Sequence, residues 1–114
     1  MPAGLHDMAK MTVSGTPGTG TISLSAAASG FQSFASAGVA DGETVSYAIS
    51  DGPSWEVGRG KYTASGTTLT RGPIYSSNAN NAINASASAI VYIAALAEDL
   101  SQLQPAMHAA YGGV

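Results

Sequence analysis

Hydrophobic and polar positions alternate with period two through most of this chain, in stretches that are short. The clearest is Glu43–Ser50 (ETVSYAIS), where Val45, Tyr47 and Ile49 share one face. Alternation of this kind predicts a half-buried β-strand. Thr21–Ser25 (TISLS) repeats it with Ile22 and Leu24, and Lys10–Val13 (KMTV) predicts a short strand before it. Thr67–Arg71 (TTLTR) and Ile74–Ser77 predict two more, separated by Gly72-Pro73. Ala87–Leu96 is longer and apolar on both faces, with Ile90 and Tyr92 opposite Val91 and Ile93. That pattern marks a central strand or one buried by a partner.

Turn residues punctuate these stretches at Ser14–Gly20 (SGTPGTG), Asp41-Gly42, Asp51-Gly52-Pro53, Ser65-Gly66 and Asn78–Asn81 (NANN). Turns about every 8–12 residues predict an all-β fold, a small antiparallel β-sandwich or barrel. Trp55–Val57 and Lys61–Ala64, on either side of Gly58-Arg59-Gly60, predict a hairpin with a three-residue loop. Phe31–Ala35 (FQSFA) suits a tight turn or 3₁₀ segment plugging one end of a barrel. The expected core is Val45, Ile49, Trp55, Tyr62, Leu69 and Ile90. The β domain is expected over residues 10–97. Residues 1–9 read as an N-terminal arm with at most two helix-compatible turns. Residues 98–114 read as a C-terminal tail, its leucines near helical spacing until Pro105.

Composition makes this core thin. Together 14 Gly, 21 Ala, 15 Ser and 9 Thr exceed half of the 114 residues, while Leu, Ile, Val and Phe number 20. Such a chain could be disordered, but disorder of that type carries high net charge. Here four Lys/Arg stand against seven Asp/Glu, and charged residues are 10% of the chain. A β domain so poor in charge has few lysines to guard its sheet edges, which suits it to an assembly. The net charge of −3 and a pI near 5.0 exclude a basic nucleic-acid surface, because Lys10, Arg59, Lys61 and Arg71 are too few to form a phosphate-binding patch. No cysteine is present for a disulfide, a thiol nucleophile or a thiolate zinc site. The longest apolar run, Ala89–Ala97, is too short to span a bilayer as a helix. The segment MPAGLHDMAKM has no apolar stretch of signal-peptide length. Synthesis in the cytoplasm and no membrane partner are the expectation.

Candidate chemistry is sparse. His6 and His108 lie in the terminal segments, where a base such as His6 beside Asp7 lacks fixed geometry. Asp41, Glu43, Asp51 and Glu56 fall in or beside turns, with too few acidic oxygens per loop for calcium. The SGTPGTG loop lacks the Lys-Ser/Thr and the following helix of a phosphate-binding loop. No enzyme, cofactor or metal is expected. Trp55, beside Tyr47, Tyr62 and Tyr75, suits either a sugar-stacking platform or a core starved of bulk, and the core is expected. Tyr75, next to the Ser/Asn loop, is the expected exposed contact. An alternative function follows: a carbohydrate- or capsule-binding tip module that uses Tyr75, Asn78, Asn80 and Asn81.

The run Thr44–Asn80 resembles a small β module of tailed-phage and prophage virion proteins. The resemblance is carried by Trp55-Glu-Val-Gly-x-Gly-x-Tyr62, with Leu69, Arg71 and Ser76-Ser77-Asn78 downstream. Gly18–Ser25, Gly30-Phe-Gln-Ser-Phe34 and Ala89–Ile93 fit the same module, which spans about residues 10–97. Gly72-Pro73 departs from it where Thr or Val is more usual, so the strand after Leu69 is expected to stop early. In its short stand-alone form the chain is similar to the head-spike base proteins of phage-like gene transfer agents of α-proteobacteria. That resemblance implies a structural virion component, without enzymatic activity, that joins a capsid vertex to a spike fibre. It implies a shell protein and a fibre as partners and a homo-oligomeric ring, pentameric at a capsid vertex. The tail carries charge only at Glu98 and Asp99, and flexible Met and Leu side chains adapt to a partner's groove. Leu100, Leu103, Met107 and Tyr111 are therefore the expected assembly contacts.

Overall fold

Strands this short cannot bury a hydrophobic face alone, so each must find a neighbour on both edges. The structure, a computed structural model, describes residues 4–96. It contains β1 (Lys10–Val13), β2 (Ile22–Ala27), β3 (Thr44–Asp51), β4 (Ser54–Thr63), β5 (Thr68–Leu69), β6 (Pro73–Ser76) and β7 (Ile90–Ile93). All strand pairs are antiparallel. The neighbours run β3-β7-β1-β2-β5-β4, and β4 pairs back onto β3, so the ladder closes into a barrel. The β6 strand continues the line of β5 along β4. Closure removes most of the edges that a charge-poor sheet would otherwise expose. The all-β antiparallel sandwich or barrel expected from the sequence is thus observed as a closed ladder, with β7 between β1 and β3.

The interior is filled from every wall: Ile22 and Leu24 of β2, Val45, Tyr47 and Ile49 of β3, Tyr62 of β4, Leu69 of β5 and Val91 of β7. Phe34 closes one end, fully buried, its ring centroid 5.9 Å from that of Tyr62. Its backbone N–H donates to the Met11 sulfur at 3.3 Å. The other end is closed by Ile83 and Ala85, the latter paired with Gly18 across the β1–β2 loop. The carboxylates of Asp41 and Asp51 hold turns. Asp41 accepts the Ala64 N–H, and Asp51 accepts both the N–H and the hydroxyl of Ser86.

Three sequence expectations fail here, the hairpin at Gly58–Gly60 and the burial of Trp55 and Ile90. No hairpin forms at Gly58–Gly60, because β4 runs unbroken through them. The hairpin lies upstream, where Asp51 pairs with Ser54 around Gly52-Pro53. Gly52 has φ 59°, and a proline follows it, the pattern of a type II′ turn. Trp55 is not in the core but 46% exposed, since the unbroken strand places Glu56, Gly58, Gly60 and Tyr62 inward and Trp55, Val57, Arg59 and Lys61 outward. Ile90 is only partly buried, because Val91 and Ile93 take the inner face of β7. Residues 4–9 contain no helix. They pack along the barrel through Gly4, which donates to the Thr44 carbonyl at 2.8 Å and accepts from the Ser46 N–H. The tail expected at 98–114, with Leu100, Leu103, Met107 and Tyr111, lies outside the described residues.

The two glycines of β4 have no positive φ; they are needed for space. A Cβ on Gly58 would sit 2.2 Å from the Gly72 carbonyl oxygen, and one on Gly60 would sit 2.0 Å from that of Thr70. The link between β5 and β6 thus presses its backbone onto β4, where the β4–β6 register is irregular. Gly60→Ala is expected to cost about 1–3 kcal/mol or more, read as a lowered midpoint in urea. Gly20→Ala, whose nearest neighbouring atom is 3.8 Å away, should leave the midpoint near wild type.

Candidate functional site

Strand parity turns Glu56 into the barrel, where an unpaired carboxylate would be prohibitively costly. It is fully buried and fully used. Its Oε1 accepts from Arg71 Nη2 at 2.6 Å and from the Ile83 N–H at 2.9 Å. Its Oε2 accepts from the Tyr47 hydroxyl at 2.6 Å and from Arg71 Nε at 3.3 Å. Arg71 in turn donates from Nη1 to the carbonyls of Gly18 and Gly20, and from Nη2 to that of Ile83. Its side chain is 2% exposed.

Arg71 enters where the β2–β5 ladder ends, after the pairs Ser23–Thr68 and Ile22–Leu69. There its guanidinium takes over from strand pairing, holding the β1–β2 loop and residue 83 to the wall. Burial, followed by the hydrogen bond to Glu56, pushes the Tyr47 phenol far above its ordinary range, so it stays a neutral donor. The sequence reading placed Glu56 among turn carboxylates. The structure makes it the barrel's internal anchor, sealed from solvent and unable to meet a substrate.

His6, expected to lack fixed geometry, is held at both ring nitrogens. Nδ1 lies 3.2 Å from the Ala37 carbonyl and Nε2 lies 2.7 Å from Glu43 Oε2. Glu43 Oε1 accepts the Ala40 N–H. Burial acts to raise the Glu43 pKa, but that N–H and His6 outweigh it and hold the carboxyl below its ordinary value. Gly4 runs directly over this carboxylate, with room for no side chain. Among the described residues no three His, Asp or Glu side chains are gathered as metal ligands.

The outer wall carries the other feature. Tyr75 is 44% exposed, as expected from its place beside the Asn loop, and it stands opposite Val57 across the β4–β6 pair. Trp55 is two residues along the same outward face, paired on its other side with Ser50. Asn78, Asn80 and Asn81 are exposed but also shape their own turn. Asn78 Nδ2 donates to the Ala82 carbonyl, Asn80 Oδ1 accepts the Ser76 N–H, and Asn81 Nδ2 reaches the Ala79 carbonyl at 3.4 Å. The structure therefore places Trp55, expected in the interior, on the outward face diagonal to Tyr75.

Two outcomes test these assignments. Arg71→Met should destabilise the barrel by about 3–5 kcal/mol in chemical unfolding, because it strands a buried carboxylate. Adding Glu56→Leu should recover part of that loss. For Glu43, a lowered folded pKa means its stabilisation is present above the unfolded value and disappears as pH falls through the folded one. The melting temperatures of wild type and Glu43→Gln should therefore differ at neutral pH and converge below the ordinary carboxylate range of about pH 4–5.

Compared with family models, curated proteins and solved structures, the chain matches none.

Proposed function

We propose that this chain is a non-enzymatic assembly module of a phage-like particle, a head-spike base or equivalent adaptor between a capsid vertex and a spike fibre. In this reading it acts as a homo-oligomeric ring within the virion. The observation that carries the reading is how the most specific stretch of the resemblance, Trp55-Glu-Val-Gly-x-Gly-x-Tyr62, is used. Glu56 anchors Arg71, Gly58 and Gly60 admit the β5–β6 link, and Tyr62 meets Phe34. Apart from Trp55, these residues serve the framework, as they would in a part whose task is to hold a shape.

Surface chemistry supports the same reading. The few cations are largely committed: Arg71 is buried, and Lys10 lies over the rings of Phe31 and Tyr92 at 4.0 and 5.4 Å. Leu5 and Met8 are about half exposed beside a cleft shared with Ile93, Ala94 and Ala95, close to where the chain passes Leu96 into the tail. Attachment is proposed to run through this end, by Leu5, Met8 and the tail residues Leu100, Leu103, Met107 and Tyr111.

Electron cryo-microscopy of intact particles tests the reading, which predicts one ring of this chain at capsid vertices beneath a fibre. Density elsewhere, or particles without the chain, would overturn it. Deleting residues 101–114 should leave the barrel folded by circular dichroism yet abolish incorporation. Truncated chain at normal copy number would refute attachment through the tail.

A further inference from the structure

This protein has a single tryptophan and very few large side chains, yet the tryptophan stands on the surface. Trp55 projects from the outer face of β4, and Tyr75 projects from the same face of β6. The pair Val57–Tyr75 places Trp55 diagonal to Tyr75, a separation of about 7–8 Å that long aromatic side chains bridge. Ser50 flanks Trp55 across β3. On the β6 side, the Ser77 hydroxyl accepts the Trp55 N–H at 3.0 Å.

By register and sequence the neighbours of these two residues carry hydroxyls and amides: Ser50, Ser77 and the Asn78–Asn81 turn. Asn78 and Asn80 each spend one half of the amide on the turn, which leaves Asn78 Oδ1 and Asn80 Nδ2 at an exposed, braced position. Ala79 and Asn80 hold that turn with φ of 52° and 65°. From this arrangement we propose that Trp55, Val57 and Tyr75 form a carbohydrate-binding platform. It takes a glycan chain whose sugar rings lie flat on the two aromatics, with hydroxyls meeting Ser50, Asn78 and Asn80.

The chemistry favours a sugar over the other occupants of an aromatic surface. A pyranose ring presents C–H groups to a π face and hydroxyls at its rim, matching rings that are themselves edged by polar groups. Protein interfaces are depleted in Ser and centre on a wider apolar core. Single-stranded nucleic acid also stacks on aromatics but needs a positive groove to follow its backbone. Here only Arg59 and Lys61 share the outward face of β4, in a chain of net charge −3. The proposal stands independently of the assembly reading, because the platform lies on the barrel wall and needs no other subunit.

The single tryptophan makes the test site-specific. The purified full chain would be screened against arrayed bacterial capsular oligosaccharides, with cellohexaose and chitohexaose as defined probes and oligo(dT) as the counter-probe. At least one glycan should change Trp55 emission saturably. Tyr75→Ala should weaken that binding at least about tenfold, and Trp55→Ala should abolish it by calorimetry. Both variants should melt with the wild type, since neither side chain is buried. The proposal is overturned if no arrayed glycan binds or if both variants retain binding. It is overturned equally if Trp55 emission responds only to oligo(dT) or to protein concentration. A chain that never enters particles yet binds glycan would refute the assembly reading and leave this one standing.

Discussion

A buried charge with every hydrogen bond made is the constraint around which this barrel is arranged. Withdrawing a carboxylate and a guanidinium from water costs several kcal/mol per ion, recovered only when geometry is good and all remaining donors and acceptors are paired. Glu56 and Arg71 meet that condition through Tyr47, the Ile83 backbone and the carbonyls of Gly18 and Gly20. These partners come from three separate parts of the chain. The pair therefore dictates where the β1–β2 loop, the 83–85 segment and the β3 wall must sit. In a chain with so few bulky residues, a polar anchor sets the position of loops that hydrophobic mass would otherwise hold.

Much of this fold was legible in the sequence, and the places where it was not share one cause. Alternation placed β2, β3 and β7, and Phe34, from the segment read as a turn, is fully buried against Tyr62. The failures at Gly58–Gly60 and at Trp55 are a single error. Trp55 and Tyr62 are seven residues apart, an odd number, so both can face the core only if the chain turns between them. Reading the glycines as a turn made a buried Trp55 consistent, while reading them as strand would have put Trp55 outside and Glu56 inside. Glycine signals a turn through its freedom of φ, but here it answers a demand for absent volume. That demand arises from the β5–β6 link, whose backbone passes at residues 70–73.

The candidate sites divide in the same way. Tyr75 was legible because it borders a loop rich in Ser and Asn. Glu56 was not, because a carboxylate is ordinarily placed outside, and its partner lies fifteen residues downstream behind a turn. Shared parity offered the missing signal: in an unbroken strand Glu56 and Tyr62 face the same way, and Tyr62 already read as core. His6 was misjudged for a different reason. Its position near the start of the chain suggests freedom, but Gly4 donates to the Thr44 carbonyl and accepts from the Ser46 N–H, which holds the segment along β3.

Closing the ladder into a ring also shapes how the molecule can come into being. The β3–β4 hairpin is local and can form early, whereas β1 must find β7 and Arg71 must find Gly18 across most of the described chain. Contacts so distant along the sequence incur the entropy of loop closure before any stabilisation returns, which slows folding. Until they form, Glu56 lies in an open trough, hydrated and harmless. Its bonds to Tyr47 and Arg71 are local, but the Ile83 N–H and the Gly18 and Gly20 carbonyls that complete the network arrive only with closure. A half-closed barrel would carry the desolvation without these last bonds, so intermediates of that shape are selected against and the transition is pressed toward all-or-none.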